Sequence, residues 1–89
     1  MPKTQKAFIL LKVDSGTERQ VADDLLKIDE IKTVHVIPGD WDLLAEVEVE
    51  REIVVPSDQK VYSVVMERVR KVKHVQDTNT MVSQFSKSK

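Results

Sequence analysis

The protein has 89 residues, no cysteine and a formal net charge of -1 at pH 7. A single domain typically contains about 100–150 residues, so the length excludes a multidomain enzyme. The absence of cysteine excludes disulfides and cysteine-based zinc sites. With 14 basic and 15 acidic residues, the chain lacks the basic excess that is typical of nucleic-acid-binding domains.

The small size of the chain predicts that it associates with other chains. A domain this short buries only about 60% of the surface that its unfolded form exposes, and oligomerisation is a common way to bury more. The longest apolar run, residues 7–11, is far shorter than the ~20 apolar residues of a membrane span. Because the sequence begins at Met1 without an apolar signal segment, we expect a cytoplasmic protein with no membrane partner.

The first predicted strand covers residues 7–13 and is apolar on both faces. Phe8 and Leu10 lie on one face, and Ala7, Ile9, Leu11 and Val13 lie on the other. A strand of this kind is expected at the centre of a sheet, covered on both sides.

An amphipathic helix is predicted over residues 17–29. A capping box, either Ser15 with Glu18 or Thr17 with Gln20, is expected to start it. At about 100° per residue its apolar side chains fall on one face. They are Val21, Ala22, Leu25, Leu26 and Ile28.

A hairpin follows, with predicted strands over residues 31–37 and 41–49 joined by Pro38, Gly39 and Asp40. The second strand alternates strictly. Leu43, Ala45, Val47 and Val49 face one way, and Leu44, Glu46 and Glu48 face the other. Residues 53–55 either continue this strand or pack beneath a loop. A second helix from Ser57 or Asp58 to about Val72 and a final strand over residues 75–85 complete the chain.

The order β-α-β-β-α-β predicts an α+β, ferredoxin-like domain over residues 1–89, with its core at about 6–85. Two helices should cover one face of a four-stranded antiparallel sheet. The other face is then bare, although Phe8, Leu10 and Leu44 fall on it. Since exposed apolar patches mark association sites, we expect a homodimer that packs sheet against sheet.

Enzyme chemistry is weakly supported by the residues. Gly16 and Gly39 are the two glycines of the chain, and neither lies in a phosphate-binding motif. His35 and His74 give an incomplete metal site and are interpreted as structural histidines. We therefore expect no metal, no cofactor and no catalytic residue.

Residues 38–43 form the most distinctive stretch and allow two interpretations. One is a tight turn, in which Gly39 supplies a positive φ and an aspartate caps a backbone amide. The other is a site for a small zwitterion, in which Asp40 or Asp42 holds an ammonium and free amides hold a carboxylate, beside Trp41. In the last strand, Thr78 and Thr80 share a face, and their hydroxyls can either decorate a surface strand or donate to a ligand carboxylate.

These patterns together resemble the effector-binding domain of the Lrp/AsnC family of feast/famine transcriptional regulators. The residues that carry the resemblance are those at 7–13, 34–47 and 75–82. Gly39, Asp40, Trp41 and Asp42 look like the family's Gly-x-aromatic-Asp turn, and Thr78 and Thr80 look like the threonines of its last strand.

The resemblance implies a dimer, often assembled further into an octamer, that binds an amino acid in clefts between dimers. By position, Asp42 would hold the ligand ammonium, and Gly39, Asp40 and Trp41 would shape the pocket wall. Thr78 and Thr80 would contact the carboxylate end. The chain departs from the family in three respects: no helix-turn-helix half precedes the domain, residues 50–60 look longer than usual, and the helix-to-strand connections at 29–31 and 72–74 lack glycine.

The resulting hypothesis is a stand-alone amino-acid-sensing domain without direct DNA binding. It acts through protein contacts, with full-length Lrp/AsnC regulators as candidate partners. Two alternatives stay open: a small dimeric ferredoxin-like enzyme of the monooxygenase type, and a purely structural oligomerisation module. A cavity lined by His35 or Tyr62 would favour the enzyme.

Overall fold

A computed structural model describes residues 4–50, 57–83, 87 and 89. The elements in chain order are β1 (Thr4–Val13), α1 (Glu18–Leu25), β2 (Ile31–Val36), β3 (Leu43–Glu50), α2 (Ser57–Glu67), a 3-10 helical turn (Val69–Lys71) and β4 (Val75–Val82). This is the predicted β-α-β-β-α-β order, so the ferredoxin-like fold class is confirmed.

The four strands form one antiparallel sheet in the order β2-β3-β1-β4. β1 pairs with β3 on one side, where Ile9 lies opposite Ala45, and with β4 on the other, where Ile9 lies opposite Thr80. β2 pairs with β3 as the predicted hairpin. The strand that is apolar on both faces is therefore central, as predicted.

The helices cover one face of the sheet and enclose the core. α1 packs beside β2, and α2 packs against β3, β4 and β1. The buried apolar side chains come from alternate positions of β1 and β3 and from one side of each helix. They include Ala7, Ile9, Leu11, Val13, Leu43, Ala45, Val47 and Val49 from the strands, and Val21, Leu25, Val61, Val64 and Val65 from the helices.

The opposite face of the sheet carries no helix among the described residues. Leu10 lies opposite Leu44 in the register, and Phe8 lies opposite Met81 on β4. Phe8, Leu10 and Leu44 are partly exposed, and Met81 is 45% exposed. The predicted bare apolar face is confirmed; we call Phe8, Leu10, Leu44 and Met81 the open-face patch.

α1 is shorter than predicted and ends at Leu25 rather than Asp29. The amides of Lys27 and Ile28 donate to carbonyls three residues earlier, at 3.2 and 3.0 Å, which tightens the chain into a turn. The turn lets Ile28 pack against the core. Leu26, predicted on the buried face, is instead 49% exposed.

The predicted capping box is wrong. Thr17 occupies the N-cap position of α1 without a side-chain capping hydrogen bond. Its hydroxyl donates instead to the Asp14 carbonyl at 2.6 Å, and the Glu18 carboxylate accepts from the Gly16 amide at 3.3 Å. The Thr17 hydroxyl therefore stabilises the loop before the helix rather than the helix end.

Other boundaries also differ from the prediction. β3 begins at Leu43 rather than Trp41, because the Ile37 amide donates to the Asp42 carbonyl at 2.9 Å and closes a loop between them. α2 ends at Glu67 rather than at about Val72, and the 3-10 turn follows it. The predicted strand end at Phe85 and the segment 53–55 lie outside the described residues. No helix within the described ranges is long and apolar enough to cross a membrane.

Candidate functional site

The loop between β2 and β3 has the predicted turn geometry. Gly39 has a φ of 124°, a backbone conformation that residues with a Cβ rarely adopt. Pro38, Gly39 and Asp40 are exposed, whereas Trp41 and Asp42 are partly buried. Gly39 and Asp40 thus form the tip of the loop, and the two residues after them pack against the sheet.

Asp42 is tied to the end of β1 by main-chain and side-chain contacts. Its amide donates to the Leu11 carbonyl at 2.9 Å, and its Oδ2 accepts from the Val13 amide at 2.9 Å. Within the described ranges, no hydrogen bond uses Oδ1 of Asp42. The carboxylate is therefore held in one orientation through Oδ2.

Asp42 lines a shallow cleft of about 280 Å³. Glu18 and Arg19 reach it from the first turn of α1, and Val36 and Ile37 reach it from the end of β2. We call these five residues the Asp42 cleft. Two carboxylates, one guanidinium and an apolar wall can together hold a small molecule that carries both signs of charge.

Trp41 lies on a different side of the loop. The Nζ of Lys12 lies 5.6 Å from the centroid of the Trp41 ring, a cation–π distance. Phe8, Leu10 and Lys12 are two residues apart along β1, so Lys12 lies on the same face of the sheet as the other two, the face without helices. The adjacent residues Trp41 and Asp42 therefore diverge, and Trp41 is not among the residues that line the Asp42 cleft.

Thr78 and Thr80 share a face, as predicted, and both are partly buried. They lie opposite Leu11 and Ile9, which places them on the helix-covered face of β4. β4 is separated from β3 by β1, a distance of about 10 Å for two strand spacings. Within one chain the structure does not bring the two threonines to the Asp42 cleft.

A cluster that the sequence did not predict joins the start and the end of the fold. Nδ1 of His74 lies 2.9 Å from Oδ2 of Asp14, and Nε2 of Gln76 donates to Oδ1 at 2.5 Å. These two hydrogen bonds, that from Gln76 first, lower the pKa of the Asp14 carboxyl. His74 has a φ of 75°, so it occupies the left-handed conformation in a connection that lacks glycine.

A larger cleft of about 540 Å³ lies between α2 and the far end of the β2–β3 hairpin. Its charged lining residues are Asp29, Glu30, Lys32, Glu48, Glu50, Lys60, Glu67 and Arg68. Arg68 pairs with Glu30 at 2.7 Å inside this cleft. The sequence did not predict this cleft, because its residues come from three separate segments and carry no motif.

Two features that would favour an enzyme were a metal site and a cavity beside His35 or Tyr62. Within residues 4–50 and 57–83, no three His, Asp or Glu side chains come together as a metal site. His35 and Tyr62 are exposed and line neither of the two clefts.

Fold and loop together define a small ferredoxin-like ligand-binding domain. The family model described as the Lrp/AsnC ligand binding domain matches residues 6–87 of the chain. The chain belongs to the Lrp/AsnC family, and the resemblance stated from the sequence is confirmed.

Individual relatives agree with this assignment. The chain is 40% identical over 80 residues to an uncharacterized HTH-type transcriptional regulator of Pyrococcus abyssi, a match that covers 86% of this chain and 49% of the relative. The chain thus spans about half the length of the curated relatives that it matches. The crystal structure of FFRP-DM1 is similar with a TM-score of 0.73 and 32% identity, over 89% of this chain and 97% of that one.

A more distant structure shares the fold alone. It is the L-Met complex of the transcriptional regulator NMB0573 from Neisseria meningitidis, with a TM-score of 0.74 and 17% identity. The match covers 96% of this chain and 53% of that one.

Proposed function

We propose that this domain senses an amino acid and acts as a non-enzymatic, oligomeric regulator in the cytoplasm. Membership of the Lrp/AsnC family makes it a regulatory ligand-binding domain of a transcriptional regulator family. The identity of the ligand as an amino acid is the finer part of the proposal, and the Asp42 cleft supports it.

The observation that carries the proposal is the fixed carboxylate of Asp42. One oxygen is held by the Val13 amide, and the side chain lines a cleft at the loop that resembles the family's Gly-x-aromatic-Asp turn. A carboxylate held in this way can accept hydrogen bonds from a ligand ammonium group with little loss of side-chain freedom. The Neisseria structure of the same fold was solved as a complex with L-Met, which supports an amino acid as the ligand.

Dimerisation through the open-face patch is the second part of the proposal. Leu10 and Leu44 lie side by side in neighbouring strands, and Phe8 and Met81 extend the patch across the sheet. A second copy packed at about 10 Å, the usual distance between facing sheets, would cover all four residues.

Charges beside the patch can help to fix the orientation of the two sheets. Lys6 lies 3.5 Å from Glu46 and 3.9 Å from Glu48 on the same face. At the rim of an interface, such charges select partners and register more than they add affinity.

Further assembly of dimers, up to an octamer, would complete the amino-acid site. Asp42 and the two threonines lie on different strands of one chain and do not line one cleft. We propose that Thr78 and Thr80 of one dimer approach the Asp42 cleft of another, near Gly39, Asp40 and Trp41. The ligand would then stabilise contacts between dimers, since it would bind residues from both.

A stand-alone role through protein contacts, without direct DNA binding, is the third part. The FFRP-DM1 chain supports it, because the match covers 97% of that chain. Full-length regulators of the family are candidate partners, since their ligand-binding halves share this fold. No residue of the chain is assigned a catalytic role.

The amino-acid proposal is tested by thermal unfolding and calorimetry with each of the twenty amino acids. A ligand at about 100 times its Kd adds about 2.7 kcal/mol to the unfolding free energy. For a domain of this size, that raises Tm by roughly 10–20 °C. No binding at millimolar or lower Kd for any amino acid would contradict the proposal.

Asp42→Asn separates the ligand role of the side chain from its structural role. The amide oxygen of asparagine can still accept from the Val13 amide, but the negative charge is lost. We expect unchanged folding and a loss of affinity of about tenfold or more, since hydrogen bonds to charged groups contribute about 1.5–3 kcal/mol. Asp23→Asn, on the exposed side of α1, is the matched control. Equal affinity in wild type and Asp42→Asn would reject the role of Asp42.

A further inference from the structure

We propose that Arg19 holds the α-carboxylate of the bound amino acid and that the Asp42 cleft selects uncharged aliphatic side chains. This inference rests on the proposed function and identifies the class of ligand. It assigns the negative end of the ligand to a residue of the same chain, on α1, outside the loop and the last strand.

The balance of charge in the cleft is the first argument. Glu18 and Asp42 are acidic, and Arg19 is the cationic residue among the five that line it. A ligand carboxylate that enters beside two carboxylates requires a cation, because like charges in a partly desolvated site repel. Threonine hydroxyls supply hydrogen bonds but no positive charge, so Thr78 and Thr80 cannot replace Arg19 in this role.

Arg19 is free to take a ligand. It is exposed, and no ion pair occupies its guanidinium in the part of the chain that the structure describes. The planar guanidinium presents paired N–H donors that match the two oxygens of a carboxylate. The ammonium end of the ligand would bind Asp42, whose Oδ1 accepts no hydrogen bond within the described ranges.

The backbone under Arg19 is firmly placed. Val21 and Leu25, on the opposite side of the same short helix, are fully buried in the core. The first turn of α1 is therefore fixed relative to β2 and to the Asp42 loop. A charged group on such a rigid element loses less freedom on binding than one on a mobile loop.

The apolar wall points to the side chain of the ligand. Val36 and Ile37 are the two apolar residues that line the cleft, and Val36 is 59% exposed. An aliphatic side chain laid against them would remove apolar surface of both partners from water. The cleft volume of about 280 Å³ is suited to a ligand of this size rather than to a peptide.

The test compares ligands and variants by calorimetry on the full chain. The ligands are L-leucine, L-leucinamide, which keeps the ammonium but lacks the charged carboxylate, and L-lysine. For wild type we expect leucine to bind at least tenfold more tightly than leucinamide or lysine. For Arg19→Gln we expect leucine affinity to fall by about 10- to 100-fold, and leucinamide affinity to stay unchanged.

The comparison of the two ligands distinguishes a carboxylate contact from a structural role. If Arg19 only supported the fold, its loss would weaken leucine and leucinamide equally. Arg19→Lys should recover part of the leucine affinity, because it restores the charge without the paired donors. Arg70→Gln, on the exposed 3-10 turn outside the cleft, is the control and should bind as wild type does.

Two results overturn this inference while the proposed function stands. In the first, Arg19→Gln binds leucine as tightly as wild type does. In the second, wild type binds lysine more tightly than leucine. If wild type binds none of the amino acids, the proposed function fails, and this inference fails with it.

Discussion

Asp14 connects the two halves of the chain through a single side chain. It accepts from Gln76 and lies against His74, while its own amide donates to the His74 carbonyl at 3.0 Å. The hydrogen bonds from Gln76 and His74 lower the pKa of its carboxyl below the ordinary value of 3.8. A carboxyl whose pKa is lower in the folded state stabilises the fold above its unfolded pKa, and this stability is lost as the pH falls through the folded value.

The Asp14 contacts should make the stability of the fold depend on pH in the acid range. Wild type should lose Tm more steeply than Asp14→Asn as the pH is lowered from about 5 through the ordinary Asp pKa of 3.8. Thermal unfolding followed by circular dichroism at a series of pH values measures the difference. Parallel pH curves for the two proteins would show that the Asp14 contacts do not stabilise the folded state.

At the residue scale, the sequence predicted some roles well and others not at all. The positive φ of Gly39 follows from local chain chemistry, and the structure shows it. The amide that Asp42 caps belongs to Val13, 29 residues away on β1, so local chemistry did not predict this partner. The left-handed conformation of His74 could not be predicted, because its contact partner Asp14 lies 60 residues away. The absence of glycine from the connection at 72–74 was visible in the sequence, but the sequence did not show that His74 takes the left-handed conformation there.

At the scale of an element, α1 shows that contacts with the core decide where a helix ends. Leu25, the last residue of the helix, is fully buried, whereas the next residue, Leu26, is 49% exposed. The periodic pattern of apolar residues predicted both on one face. The chain leaves the helix between them, so that Ile28, rather than Leu26, reaches the core.

The prediction for this element is a contrast between two neighbouring leucines. Leu25→Ala should destabilise the fold by about 2–5 kcal/mol, because it removes buried atoms and leaves a cavity. Leu26→Ala should change the stability by less than about 0.5 kcal/mol, as expected of a surface site. Chemical denaturation at a fixed protein concentration measures both. Similar losses for the two variants would show that Leu26 is buried beside Leu25, as the sequence predicted.

The type and order of the elements were more predictable than their ends. Alternation along β1 and β3 and the helical pattern of α2 depend on local periodicity, so all six main elements were predicted. The ends depend on tertiary contacts: the Ile37 amide that closes the loop at Asp42, and the turn after Leu25. A sequence pattern carries little information about such contacts.

At the scale of the whole molecule, the alternation of β1 and β3 predicted three members of the open-face patch, Phe8, Leu10 and Leu44. Met81 on β4 was not predicted. The separation between Asp42 and the threonines was not predictable, since it depends on the order of the strands in the sheet. Within one chain they lie on β4 and at the start of β3, with β1 between them. In the proposal, the two threonines therefore reach the amino-acid site only in an assembly.

The proposed oligomer packs through its sheet and responds to an amino acid. Its mass in solution, measured by light scattering, tests both properties most directly. Without ligand, we expect at least twice the chain mass of 10.2 kDa. Addition of the amino acid that raises Tm should shift the mass towards larger assemblies.

Leu44→Lys places a charge in the open-face patch and should give monomers. Leu26→Lys, a matched change at an exposed leucine of the helix layer, should leave the mass unchanged. A wild-type mass of 10.2 kDa at micromolar concentration, with and without amino acids, would contradict the account.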